Sequence, residues 1–147
     1  MNTRNTTAVR PILWLGAFLL SIGGASPLAG QADSLFVSAV FTPPGAFTQG
    51  VEGPACDAAG TLYAVNFAHE GTVGRVDATG ACSLFVELPA GSVGNGIRFD
   101  SKGFMLVADY RGHNLLQVDM ATRQVSVRVP EPRMFQPNDQ AIRADDR

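Results

Sequence analysis

The chain has 147 residues, with 11 Lys and Arg against 13 Asp and Glu and a formal net charge of -2. That balance leaves no basic face for a nucleic acid and no polycationic patch for an anionic membrane. A hydrophobic fraction of 46% argues against disorder, and 16 Gly and 9 Pro scattered among short apolar runs point to frequent tight turns.

Residues 1–32 read as a signal peptide. Arg4 and Arg10 give a positive start, residues 12–22 (ILWLGAFLLSI) form an apolar stretch, and Gly30-Gln31-Ala32 offers small residues where a signal peptidase cuts. The apolar stretch is too short to span a bilayer, which argues against a retained membrane anchor. Gln31 stands where a lipoprotein would carry its lipidated Cys, which argues against a lipid anchor. The expected location is therefore periplasmic or secreted.

Residues 33–147 read as short strands separated by turns. Expected strands fall at 35–41 (LFVSAVF), 61–67, 72–76, 84–88, 96–99, 104–109, 115–118 and 125–129, with 53–56 leading into an innermost strand and the outer strand beginning at Cys82. Asp57-Ala58-Ala59-Gly60, Asp77-Ala78-Thr79-Gly80 and Asp100-Ser101-Lys102-Gly103 have hairpin-turn chemistry, with Asp opening the turn and Gly supplying a positive φ. No stretch beyond the leader sustains a 3.6-residue period, so the domain is expected to be all-β.

A repeat organises these strands. GPACDAAGTLYAVNF from Gly53 and GIRFDSKGFMLVADY from Gly96 share Gly, Asp, Gly and a final aromatic at an offset of 43 residues, and a third copy opens at QPNDQAIRADDR. A period of about 40–50 residues with four short strands is that of a β-propeller blade. The expected architecture is a partial propeller of about 2.5 blades, truncated mid-ring, with residues 35–41 as the outer strand of a closing blade. On that layout Cys56 and Cys82 lie three strand spacings apart, roughly 14 Å, too far for a disulfide. Both then read as packing residues, as Phe99 in the place of Cys56 one repeat later suggests.

The same phase of the repeat carries Glu52, Asn95 and Asn138. A residue just before an innermost strand would face the central axis, so the three would converge as one carboxylate and two amides. Such an all-oxygen set suits Ca²⁺ or Mg²⁺. The ordinary alternative is that Asn beside Gly or Asp simply forms a turn. His113 and Asp109 are candidates for the mouth of a substrate site, against the commoner reading as solvated loop positions. His69-Glu70 lacks the second His of a zinc-protease motif and reads as a turn, and residues 91–94 (GSVG) open no helix and so make no phosphate cradle.

Glu52-Gly53-Pro54, Asn95-Gly96-Ile97-Arg98-Phe99-Asp100, Pro137-Asn138-Asp139 and Val107-Ala108-Asp109-Tyr110 with Gly112-His113-Asn114 together resemble the senescence marker protein/gluconolactonase/luciferin-regenerating-enzyme family, over residues 47–147. The resemblance implies a six-bladed propeller in the full-length family and a metal-dependent lactone hydrolase. Glu52 and Asn138 would be ligands to a divalent cation, usually Ca²⁺ with Mg²⁺, Mn²⁺ or Zn²⁺ as substitutes. Asn95 would be a substrate contact or further ligand, His113 a substrate contact, and a lactone or sugar acid the substrate. The family's probable base, an Asp of a later blade, would lie beyond Arg147, so this chain is expected to be inactive alone. The competing expectation is a non-enzymatic propeller of the NHL-repeat type, which needs no oxygen ligands at Glu52 and Asn138.

Overall fold

The computed structural model describes residues 37–145, and the leader assigned to residues 1–32 lies outside the described residues. Eight strands form in chain order: β1 (Ala55–Cys56), β2 (Leu62–Val65), β3 (Thr72–Val76), β4 (Cys82–Glu87), β5 (Gly94–Phe99), β6 (Met105–Asp109), β7 (Asn114–Val118) and β8 (Val125–Pro130). They make two four-stranded antiparallel meanders, β1-β2-β3-β4 and β5-β6-β7-β8, and no helix occurs among the described residues. The all-β expectation holds, and the 43-residue offset maps each strand of the first sheet onto its counterpart in the second.

The turns follow from local side-chain chemistry. Asp57 Oδ1 accepts the amides of Ala59 and Thr61, both at 2.9 Å, and Gly60 closes the turn at φ 81°. Asp77 with Thr79 and Ala81, and Asp100 with Lys102 and Phe104, repeat the arrangement, and Gly80 and Gly103 both sit at φ 83°. A carboxylate that accepts two backbone N–H groups mimics a turn of main chain, and only glycine enters the left-handed region without steric cost. Asp119 opens the fourth such turn, bonding the amides of Ala121 and Thr122. Arg123 there adopts φ 60° without glycine, its guanidinium lying 5.3 Å over the Phe85 ring.

The core lies between the two sheets. Tyr63, Val65, Val73, Phe85 and Leu88 of the first pack with Ile97, Met105, Val107, Leu116 and Val118 of the second. Tyr63 joins them directly, edge-on to Phe85 at 5.0 Å and to Phe99 at 5.7 Å. Full burial of such side chains stabilises by about 1.5–3 kcal/mol each. On the other face of the first sheet Phe47 stacks edge-on against Phe67 at 5.5 Å, and both rings lie over Gly74, where a Cβ would stand 2.7 Å from each side chain.

Two expected elements differ. Residues 37–41 form no strand, and Val37, Val40 and Phe41 are exposed. A β-rich composition becomes a strand only where another strand completes the ladder, and none lies alongside among the described residues. Residues 138–143, where the third copy of the repeat falls, likewise form no strand. The two cysteines are unpaired as expected, but Cys56 is exposed and so is not the packing residue expected there. Cys56, Leu62, Val76 and Cys82 form one cross-strand row, leaving three strand spacings between the two thiols, and both are free.

Candidate functional site

The Asp-led turns lie at one end of the sheets. At the opposite end are the β2–β3 turn, the loop into β5, the β6–β7 turn and residues 131–137. Glu52, Asn95 and Asn138 also stand at this end.

In both sheets the first strand is interrupted here. The Val65 amide donates to the Glu52 carbonyl at 3.2 Å, and regular pairing resumes only at Ala55 opposite Tyr63. One repeat on, Gly94 pairs with Asp109, then the register slips by one before Ile97 pairs with Val107. The slip is a bulge at Asn95-Gly96, a device that re-aims a side chain. Successive copies then touch through glycine. A Cβ on Gly53, which has φ 55°, would collide with the Asn95 carbonyl oxygen. A Cβ on Gly96 would stand 2.5 Å from Asp139 Oδ1 and 2.9 Å from the Asn138 carbonyl oxygen. The Gly96 amide donates to that same carbonyl at 2.7 Å. The glycine after each repeated polar residue therefore lets the next copy approach.

The result is a cleft of about 270 Å³ lined by Glu52, Pro54, Asn95, Arg98, Asn138 and Asp139 along with the two glycines. The three residues of one repeat phase thus share one cavity. Asn95 is 9% exposed, whereas Glu52 and Asn138 are open to solvent. Among the described residues no group hydrogen-bonds the side chains of Glu52, Asn95 or Asn138. Their oxygens and amide N–H groups are left to whatever enters the cleft.

Arg98 and Asp139 are cleft residues that the sequence pattern did not single out. Arg98 Nη2 donates to Asp139 Oδ2 at 2.7 Å and Nη1 to the Ile97 carbonyl at 2.7 Å, which fixes the guanidinium at the wall. Asp139 Oδ1 accepts the Gln140 amide at 2.8 Å. Neither residue has a like partner in the repeat. Arg98 aligns with Ala55 and Ala141, and Asp139 with Gly53 and Gly96, so periodicity carried no signal for them.

His113 is not among the cleft-lining residues. It sits in the β6–β7 turn at φ 59°, and its Nδ1 bonds the Met134 carbonyl at 2.7 Å. Asp109 is neither solvated nor at the cleft wall but fully buried. His69 and Glu70 form the β2–β3 turn, with Glu70 paired to Arg111 at 3.4 Å.

Among the described residues there is no group of three His, Cys, Asp or Glu side chains able to hold a metal ion, so a cation in the cleft would depend on the Glu52 carboxylate and amide oxygens, the other carboxylate there, Asp139, being paired with Arg98. No described helix is long and apolar enough to cross a membrane. The chain matches no protein-family model and no curated protein.

Proposed function

We propose that the two meanders are successive blades of a β-propeller and that the cleft at their shared end is the cation and substrate site of an exported lactone hydrolase of the gluconolactonase type. The observation that carries this reading is the convergence of Glu52, Asn95 and Asn138 on one cleft with side chains bonded to no other described group. The propeller reading draws on the 43-residue period and on the sequential order of four antiparallel strands per repeat.

The donor set fits a hard divalent cation. The Glu52 carboxylate and the amide oxygens of Asn95 and Asn138 are all oxygen ligands, the preference of Ca²⁺ and Mg²⁺ over Zn²⁺. A bound cation would supply polarisation of a lactone carbonyl and a water of lowered pKa. With one ring carboxylate, the dissociation constant for Ca²⁺ is expected in the weak range, about 10⁻⁴–10⁻³ M. The chain's own groups hold the substrate. The amide N–H groups of Asn95 and Asn138 donate to ring hydroxyls of a lactone or sugar acid. The fixed guanidinium of Arg98 offers its remaining N–H groups to the carboxylate that ring opening creates.

A second reading, a binding module of the NHL type, draws on the absence of any three-membered acidic, His or Cys cluster among the described residues. The two separate in one experiment, in which an aldonolactone is titrated with and without Ca²⁺ while the side-chain amide resonances of Asn95 and Asn138 are followed. The lactonase reading expects both to shift only when Ca²⁺ is present. Shifts that ignore Ca²⁺ would favour the binding module, and none in either condition removes the cleft from consideration.

A further inference from the structure

Asp109 is the most deeply buried acidic group among the described residues that the proposed chemistry does not use. Its relative exposure is 0%, and no cation pairs with it among the described residues. An isolated carboxylate in such a place is strongly disfavoured unless hydrogen bonds replace its hydration. Here they do. Oδ1 accepts the amides of Val93 at 3.1 Å and Gly112 at 2.9 Å, and Oδ2 accepts the Ser92 hydroxyl at 2.8 Å and Asn114 Nδ2 at 3.5 Å. Gly112 is required for this, because a Cβ there would collide with the carboxylate.

The donors come from two different loops, and each loop leads to a cleft residue. Ser92 and Val93 lead into β5, three and two residues before Asn95, and the Val93 carbonyl accepts the Tyr110 amide at 2.9 Å. Gly112 adjoins His113, whose amide donates to the Asp109 carbonyl at 3.0 Å and whose ring holds the Met134 carbonyl, four residues before Asn138. One buried carboxylate thereby fixes the approaches to both asparagines. The first repeat carries an amide in the same place. Asn66, one period earlier and 4% exposed, donates to the Gly50 carbonyl at 2.6 Å and leaves its Oδ1 buried without a partner.

We infer that Asp109 is a positioning residue, which clamps the loop into β5 to the β6–β7 turn and so sets Asn95 and Asn138 at the cleft. His113 acts as a link in the clamp. The part of this inference that concerns cation affinity rests on the reading of the cleft given above. The part that concerns the loops stands independently of it.

The test uses the full chain with Asp109→Ala, Asp109→Asn and Ser92→Ala, followed by amide hydrogen exchange and Ca²⁺ calorimetry. Asparagine keeps one oxygen for the two backbone amides, and its NH₂ can meet a reoriented Ser92 hydroxyl. Asp109→Ala should raise exchange at Val93, Gly96 and Gly112 at least tenfold, leave β2–β3 amides unchanged and weaken Ca²⁺ about tenfold. Asp109→Asn should restore both readouts to within about threefold. Unchanged protection at those three amides, or loosening spread equally into β2–β3, overturns the clamp. Loosened loops with undiminished Ca²⁺ affinity overturn the positioning role. If the wild type takes up no Ca²⁺, the cation reading fails, and selective loss of protection at Gly96, the amide bonded to Asn138, alone sustains or refutes the clamp. If Asp109→Ala does not fold, Ser92→Ala must show the same pattern confined to residues 91–95.

Discussion

Alanine at Gly53, Gly96 and Gly60 separates two reasons for glycine. Gly60 has φ 81° with nothing within 4 Å of where a methyl would stand, so Gly60→Ala adds only left-handed strain, about 1–2 kcal/mol. Gly96 has no positive φ, but a methyl would meet the backbone of Asn138 and Asp139 at 2.9 Å. Gly96→Ala therefore adds only overpacking, about 1–3 kcal/mol. Gly53→Ala combines φ 55° with a collision against the Asn95 carbonyl and should cost the sum, about 2–5 kcal/mol. Urea unfolding of the three variants under one set of conditions measures this. A further signature distinguishes the site glycines, since Gly53→Ala and Gly96→Ala should shift the Asn95 and Asn138 resonances while Gly60→Ala leaves them in place. If Gly53→Ala costs no more than Gly60→Ala, the close approach of successive repeats is not what shapes the cleft.

Burial first, and then the charge of Asp57 3.2 Å from the phenol, hold the Tyr63 hydroxyl above its ordinary pKa of 10.0. The folded state keeps the proton more tightly, so this contribution is intact below about pH 10 and is lost as pH rises through the folded value; ultraviolet titration should show Tyr63 ionising late, together with alkaline loss of stability. Hydrogen bonds from Thr79 hold the Asp77 carboxyl below its ordinary range, and the Thr122 amide does the same for Asp119. Their contributions are present above about pH 4 and vanish as pH falls through the folded values, so Asp77→Asn should flatten the acid limb of a stability–pH profile. Arg128 pairs at 2.9 Å with Asp100, whose side chain is 1% exposed. Arg128→Gln should cost about 1–3 kcal/mol in urea unfolding, with the Asp100 turn keeping its two backbone bonds. Mild oxidation should leave Cys56 and Cys82 of one chain unlinked, and both should still react with a thiol reagent after denaturation.

How much was legible depended on whether a residue's role is local, repeated or distant. Asp57, Asp77 and Asp100 were legible because a carboxylate opening a turn bonds amides two to four residues ahead. Glu52, Asn95 and Asn138 were legible as a set because a constant phase in stacked repeats lands on one end of the fold. Arg98 and Asp139 meet only because two copies of the repeat approach through Gly96, and nothing in their neighbours announces it. Asp109 looked like a loop residue because two of the four donors that satisfy it lie 16 and 17 positions away, on Val93 and Ser92. The strand expected at 35–41 was read from composition and from the place of a closing blade's outer strand, and neither supplies the ladder a strand requires.

The most direct test of the cleft is Ca²⁺ calorimetry on the wild type beside Glu52→Gln, which keeps the shape and one oxygen but removes the cleft carboxylate that is not paired with Arg98. The proposed site predicts one Ca²⁺ per chain with a dissociation constant of about 10⁻⁴–10⁻³ M, at least tenfold weaker in Glu52→Gln, with unfolding in the absence of Ca²⁺ unchanged. No uptake by the wild type, or equal uptake by Glu52→Gln, would contradict it.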